Sequence, residues 1–338
     1  MKKDFPNISP HVFEHPLDRT ALLSLQKVPG IDWVVKTLFS IVGEKRLRLF
    51  FLASSVRVNE KQLPRLHKNY LEACRILDVK DPPELFVAQK MAVNAAAIGM
   101  GKPFIMLTSP LVDALDDDEL QCVIGHELGH VLCGHSLYTT ILLLLVSAWY
   151  AFIGIPGGLL AITVIRMALL EWSRKAELTA DRAGLLVSQD ADVSYRVAMK
   201  LAGGRPKDEM SIEEFFKQAE EYREGGNVID GVLKIALLLG QTHPLPVLRV
   251  SELRDWVDSG DYQKILSGDY LHRDENQDDD FIKNIKAAAS SYKDAFKSSK
   301  DPFISTVKDI SNSVANTGRE IFEFFKRATD SWNDKHKT

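Results

Sequence analysis

Two clusters of titratable side chains lie far apart in this chain, and the need to bring them together constrains the fold more than any other feature. The first is His126-Glu127-Leu128-Gly129-His130; the second is Glu177-Leu178-Thr179-Ala180-Asp181. Residues four apart share one face of an α-helix, so His126 and His130 can aim their rings at one point, and Glu177 and Asp181 likewise share a face. Ile124, Leu128 and Val131 fall on the opposite side of the first helix and give it an apolar face to bury. The spacing predicts two helices, and a shared ion requires their polar faces to meet.

Two imidazoles and one carboxylate form a three-ligand set for a single zinc ion and leave a fourth position for water, as a catalytic rather than a structural site requires. The His-Glu-x-x-His pattern alone also occurs by chance, so the third ligand decides the class. A third imidazole at position 136 would give one arrangement, but Ser136 stands there and His135 comes one residue early. Glu177 is therefore expected as the third ligand, with Asp181 accepting a hydrogen bond from the far nitrogen of His126. The alternative is that Glu177 and Asp181 form ion pairs with Lys175 and Arg182 on a solvated helix. Glu127 lies beside a ligand but off its axis, which suits a general base toward the attacking water. Thr242-His243-Pro244 offers His243 as a second donor to a developing oxyanion, although a loop His before Pro is common. Cys122 and Cys133 read as small buried hydrophobes rather than ligands. His135, five residues past His130, has rotated off the ligand face and reads as structural.

The chain of 338 residues, 45% hydrophobic, can bury a large core. Its net charge of -4 gives no basic surplus, which argues against nucleic acid as a partner. Three cysteines, few and odd in number, do not make a disulfide framework and point to a reducing compartment. The start, Met1-Lys2-Lys3-Asp4-Phe5-Pro6, has no apolar run beside its charges, so no cleaved secretory signal is expected and the bulk of the chain is expected to be cytoplasmic.

Along the chain, 1–70 reads as an N-terminal helical region, with helical spacing from Ile31 to Leu77 that ends at Asp81-Pro82-Pro83. Glu84 to Ala88 and Phe104 to Thr108, with Val93-Asn94-Ala95-Ala96 between them, read as strands of a small sheet. Asp116 and Glu119 form a capping box before a helix running from Leu120 through Leu132. The fold class is thus mainly α with a small β-sheet (α+β), with 71–270 as the zinc peptidase domain.

Residues 136–165 carry no charged side chain, long enough for one bilayer crossing of about 20 residues but short for two plus a turn. One crossing would put Glu177 on the far side from His126 and His130, so the number of complete crossings must be even. A hydrophobic helical hairpin over 136–170, hinged at Pro156-Gly157-Gly158, satisfies this. It is read either as membrane contact or as a pair of buried core helices. Residues 271–338 form an acidic hinge and an amphipathic tail, where Phe303, Val307, Ile310, Val314, Thr317, Ile321 and Phe324 draw one apolar stripe. Packing back on the body is expected of it, with self-association through 303–324 or membrane-surface binding as other readings.

These residues resemble the HtpX-like and CAAX prenyl endopeptidase family of gluzincin zinc metallopeptidases, metallopeptidase family 48. The match includes Asn94-Ala95, Asp118-Glu119-Leu120, the run Val123 to His130, Gly134-His135, the run Ala176 to Ala183, His243-Pro244 and Arg249. It covers roughly Leu71 to Trp256 and looks most like a branch with plastoglobule and bacterial members. The resemblance implies a zincin-like core holding one zinc, protein or peptide substrates, and a setting in protein quality control near a membrane. It implies that Asn94 and Ala95 lie on an edge strand that holds extended substrate through main-chain bonds. It also implies His243 as oxyanion partner, with Arg249 supporting its loop. The chain departs from HtpX-type proteins in lacking two clear N-terminal spanning helices, and the tail after about Ser267 has no counterpart. The rival expectation is a non-proteolytic zinc-containing scaffold or chaperone for unfolded clients, against which the intact Glu127 argues, since a structural site needs no base.

Overall fold

The computed structural model describes residues 2–26, 31, 34–36, 43–147, 158–204, 209–224, 243 and 245–274. The hinge residues Pro156 and Gly157, Pro244 and the 303–324 stripe lie outside the described residues. A 3-10 turn at Pro10–Val12 leads into α1 (Pro16–Leu25), then α2 (Glu44–Ser54), β1 (Val56–Arg57), α3 (Pro64–Ile76), β2 (Glu84–Ala88), β3 (Ala95–Ile98) and β4 (Phe104–Thr108). The remainder is helical: α4 (Ser109–Ala114), α5 (Asp117–Leu132), α6 (Ser136–Ser147), α7 (Gly158–Ser188), α8 (Ala191–Gly203), α9 (Ile212–Glu224), α10 (Pro246–Asp258) and α11 (Asp261–Ser267).

The sheet has the order β1-β2-β4-β3, with β2 and β4 parallel and both outer pairs antiparallel. β4 is buried along its whole length, as its apolar run Phe104-Ile105-Met106-Leu107 requires of an inner strand. β3 is an edge, pairing Ala95 with Leu107 and Ile98 with Phe104. Asn94 extends that ladder: its carbonyl accepts from the Thr108 amide at 3.0 Å, and its own amide donates to Thr108 Oγ1 at 2.9 Å. The strands expected at 84–88 and 104–108 are present, and the one expected at 93–96 begins two residues later, at Ala95–Ile98. The expectation of helix throughout 31–77 missed β1, a two-residue strand with both side chains exposed and therefore without an alternating signature.

The expected capping box opens α5, with Asp116 accepting from the Glu119 amide and the Glu119 carboxylate from the Asp116 amide, each at 3.0 Å. Glu119 is fully buried, and Lys200 of α8 donates to it at 2.6 Å, so the same carboxylate starts one helix and anchors another. The main core lies where α3, α5, α7, α8 and α10 meet, around Leu120, Ile124, Leu128, Leu185 and Leu253. A second cluster joins α6 and α7 to α1 through Ile141, Leu145, Ile162, Ile165, Leu169, Trp172, Ala21 and Leu25. Those side chains of the uncharged segment are thus buried against the protein itself. No single helix among the described residues is long and apolar enough to cross a membrane; α5 with residues 136–145 of α6 passes only as a pair bent by 94°.

Three glycines let α5 and α7 approach backbone to backbone. A Cβ on Gly129 would lie 2.7 Å from Ala183 Cβ, one on Gly125 2.7 Å from Val187 Cβ, and one on Gly184 2.9 Å from the Cys122 carbonyl oxygen. Close approach along this seam places the carboxylates of α7 within reach of the histidines of α5. Gly129→Leu is expected to force the helices apart and cost about 1–3 kcal/mol by overpacking. Thermal unfolding of the variant beside wild type tests this; an unchanged midpoint would mean that the seam has slack.

Candidate metal centre

α5 presents His126 and His130 on one face, their Nε2 atoms 3.2 Å apart, and both side chains are buried. Across the seam, α7 delivers Glu177, whose Oε2 lies 3.5 Å from His126 Nε2 and whose Oε1 lies 3.3 Å from His130 Nε2. His243 joins them, with Nδ1 2.8 Å from Glu177 Oε2. One ligand atom from each of the four residues lies within 4.8 Å of all the others. Burial holds both α5 histidines below their ordinary pKa, against the pull of Asp181 and Glu177, and so favours neutral rings with a free lone pair. The donor set of two neutral imidazoles and a carboxylate fits a divalent ion of borderline softness.

The residues expected to support the site also converge on it. His126 Nδ1 faces Asp181 Oδ1 at 3.0 Å, and Asp181 Oδ2 accepts from Arg249 Nε at 2.8 Å. Arg249 also reaches Glu177, NH1 to Oε2, at 2.8 Å. Burial would raise both carboxyls, but Arg249 and His126 hold Asp181 down at about 2, while His243 and Arg249 hold Glu177 well below the carboxylate range. The solvated-helix alternative does not describe this geometry: Arg182 lies over the Trp256 ring at 4.9 Å, and Lys175 Nζ is 4.0 Å from Glu171 Oε1.

Glu127 is fully buried beside the cluster, and neither carboxyl oxygen has a hydrogen-bond partner, the Ala97 amide approaching only loosely. Burial pushes its pKa up, against His243 and His126. A buried carboxyl without a hydrogen bond is costly, and the charged neighbour it does have, His243, stands at ion-pair rather than hydrogen-bond distance. His243 places Nε2 3.7 Å from Glu127 Oε1 and 2.8 Å from the Ala95 carbonyl oxygen. Both ring nitrogens thus face acceptors, an arrangement that favours a proton on each. Burial works against the charge, but Glu177 and Glu127 raise the His243 pKa to about 9.

The cluster opens into a cleft of about 720 Å³ whose lining includes Asn94 and Ala95 of the edge strand, Glu127, Val197, Leu201 and Leu253. Cys122 is buried and lines it too, and burial pushes its thiol up to about 12, so it behaves as the small hydrophobe expected. Sequence reasoning missed a contact of His135. It stands outside the cluster, as expected, but its Nδ1 lies 3.0 Å from His130 Nδ1. The helical wheel fails there because α5 ends first. Gly134 turns the chain at φ 72, and the His135 amide bonds back to the His130 carbonyl at 2.9 Å. The Gly134-His135 pair was the one available signal.

The model of peptidase family M48 matches residues 60–257, a span holding every one of these clustered side chains. The plastoglobule-localized metallopeptidase 48, chloroplastic, of Arabidopsis thaliana is 36% identical over 268 residues, which cover 78% of this chain and 77% of that protein. Protease HtpX homolog 2 of Methanosarcina acetivorans is 27% identical over 172 residues, 43% of this chain and 58% of the relative. The mitochondrial metalloendopeptidase OMA1 of Arabidopsis thaliana is 30% identical over 166 residues, 45% of this chain and 33% of the relative. No solved structure matches. The span of the family match and the coverage of the plastoglobule relative lead to one conclusion: the chain belongs to peptidase family M48 and is a metallopeptidase.

Proposed function

We propose that the chain is a zinc metalloendopeptidase in which His126, His130 and Glu177 hold one zinc ion and Glu127 is the general base. The observation that carries this reading is the meeting of two histidine Nε2 atoms and one carboxylate beside a buried Glu127 that makes no hydrogen bond. Zinc, when bound, supplies Lewis acidity that acidifies water and polarises the scissile carbonyl. Glu127 takes the proton of the attacking water and passes it to the departing amine nitrogen, a transfer favoured by a carboxyl whose pKa burial has raised. Asp181 accepts from His126 Nδ1 and keeps Nε2 unprotonated. His243, cationic and 3.7 Å from Glu127, donates to charge developing on the carbonyl oxygen, and Arg249 holds the acidic pair behind it. Substrate lies extended along β3, bonded to the outward-facing main chain of Ala95; Asn94, whose amide and carbonyl are both taken by Thr108, lines the cleft beside it. That pose requires His243 Nε2 to leave the Ala95 carbonyl.

The same reading puts the substrates near a membrane, in protein quality control. The plastoglobule location in one relative's name supports the membrane setting.

Metal analysis together with casein cleavage tests both parts. One zinc per chain is expected, with cleavage lost in chelator and restored by zinc; cleavage that persists without metal overturns the mechanism. Phospholipid vesicles added to the same assay are expected to bind the protein. Absence of co-sedimentation removes the membrane setting and leaves the peptidase reading intact.

A further inference from the structure

We infer that Asp18 and His135 are positioning residues for His130, forming a hydrogen-bonded relay that fixes its tautomer and fastens α1 to the metal centre. The inference rests on the reading of His130 as a ligand through Nε2.

The proton positions follow one from another. If Nε2 of His130 is to offer its lone pair to a metal, the ring must carry its proton on Nδ1. That Nδ1 lies 3.0 Å from His135 Nδ1, so His130 donates and His135 accepts. His135, with its Nδ1 lone pair engaged, carries its own proton on Nε2. That atom is 2.9 Å from Asp18 Oδ2. The chain thus runs from the Asp18 carboxylate through a neutral His135 to the back of His130, with one donor and one acceptor at every contact.

Asp18 is built to stay ionised in this place. It is fully buried, as is His135. Trp172 Nε1 donates to its Oδ1 at 3.1 Å, and Thr179 Oγ1 donates to its Oδ2 at 2.6 Å. The direction of the threonine bond is fixed, because the His15 amide, which can only donate, approaches the same Oγ1 at 2.9 Å. The Trp172 ring also meets His135 edge to face at 5.5 Å and limits its rotation.

The two histidines are therefore braced from different elements. His126 rests directly on Asp181 of α7. His130 rests on α1 through an intervening imidazole, and residue 18 lies outside the 60–257 segment that the family model matches. Carboxylates behind metal-binding histidines typically change metal affinity 10–100-fold when lost.

The test uses the full chain with zinc in competition with a chromophoric chelator, and with cobalt as a visible-absorption probe. Asp18→Asn and His135→Leu are expected to weaken zinc binding about 10–100-fold and to shift the cobalt band, with melting of the metal-free proteins as the folding control. His135→Asn, whose side-chain oxygen can still accept from His130 Nδ1, is expected to recover most of the affinity. Folded Asp18→Asn and His135→Leu proteins with wild-type affinity and cobalt spectrum would overturn the relay. Nitrogen-15 NMR of the zinc-loaded wild type needs no variant: His135 protonated on Nε2 alone supports the relay, and His135 protonated on Nδ1 overturns it. If wild type binds neither zinc nor cobalt, the metal reading itself fails and the relay falls with it.

Discussion

Glu127→Gln is expected to abolish casein cleavage while leaving zinc bound, with kcat falling at least about 10³-fold, the upper part of the range for loss of a general base. The amide has the shape of the carboxylate, so the packing around a fully buried side chain is conserved. It cannot accept the proton of water or return it to an amine. The ligand atoms of His126, His130 and Glu177 do not involve this residue, so metal content is expected to stay at one per chain. Stability offers a second readout. The carboxyl oxygens of Glu127 have no hydrogen-bond partner and burial raises their pKa, so the native state pays for keeping the acid there. Removing the charge is expected to leave the melting temperature of the metal-free protein equal or higher. Elemental analysis, casein turnover and calorimetry on one preparation decide the matter; a folded variant that cleaves at the wild-type rate would remove Glu127 from the mechanism.

Glu177→Ala is expected to do the reverse, taking away metal and stability together. This carboxylate lies between His126, His130, His243 and Arg249, with Arg249 NH1 and His243 Nδ1 each 2.8 Å from its Oε2. Its pKa well below the ordinary range means that these partners favour the charge strongly enough to overcome burial. Alanine leaves Arg249 with Asp181 alone from this pair of acids and leaves His243 without its nearest carboxylate. Breaking a buried ion pair from one side costs about 3–5 kcal/mol. The metal-free variant is thus expected to melt well below wild type, and zinc is expected to fall far under one per chain. Full zinc occupancy after dialysis would exclude Glu177 from the ligand set.

Legibility in the sequence followed the range of the signal. The capping box of α5, the four-residue spacing of its histidines and the apolar run of β4 are local patterns, and each corresponds to an element in the structure. The pairing of His126 with Asp181 spans two helices, yet it could be anticipated because each helix carries its own periodic pair. What stayed hidden has no local period. β1 is too short and too exposed to alternate. The Gly125, Gly129 and Gly184 seam is visible only once α7 lies on α5, since nothing in either helix alone states what a missing Cβ makes room for. Asp18 sits in a helix more than a hundred residues before its partner His135, and His135 itself returns to His130 only through the turn at Gly134. The wheel drawn for an unbroken helix therefore sent that imidazole in the wrong direction.

The continuity of α7 has a mechanical consequence. Its first residue, Gly158, is the last of the expected hinge, and Glu177 and Asp181 stand further along the same unbroken helix. At about 1.5 Å per residue, the distance from Gly158 to Glu177 is roughly 28 Å of stiff rod with no loop between. A pull or tilt applied at the Gly158 end can be absorbed only by bending that rod or by moving Glu177 against His126 and His130. The Asp18 contacts at Trp172 and Thr179 and the glycine seam from Ala180 to Val187 clamp the rod on both sides of Glu177, so a load at the Gly158 end meets that clamp before it reaches the metal centre.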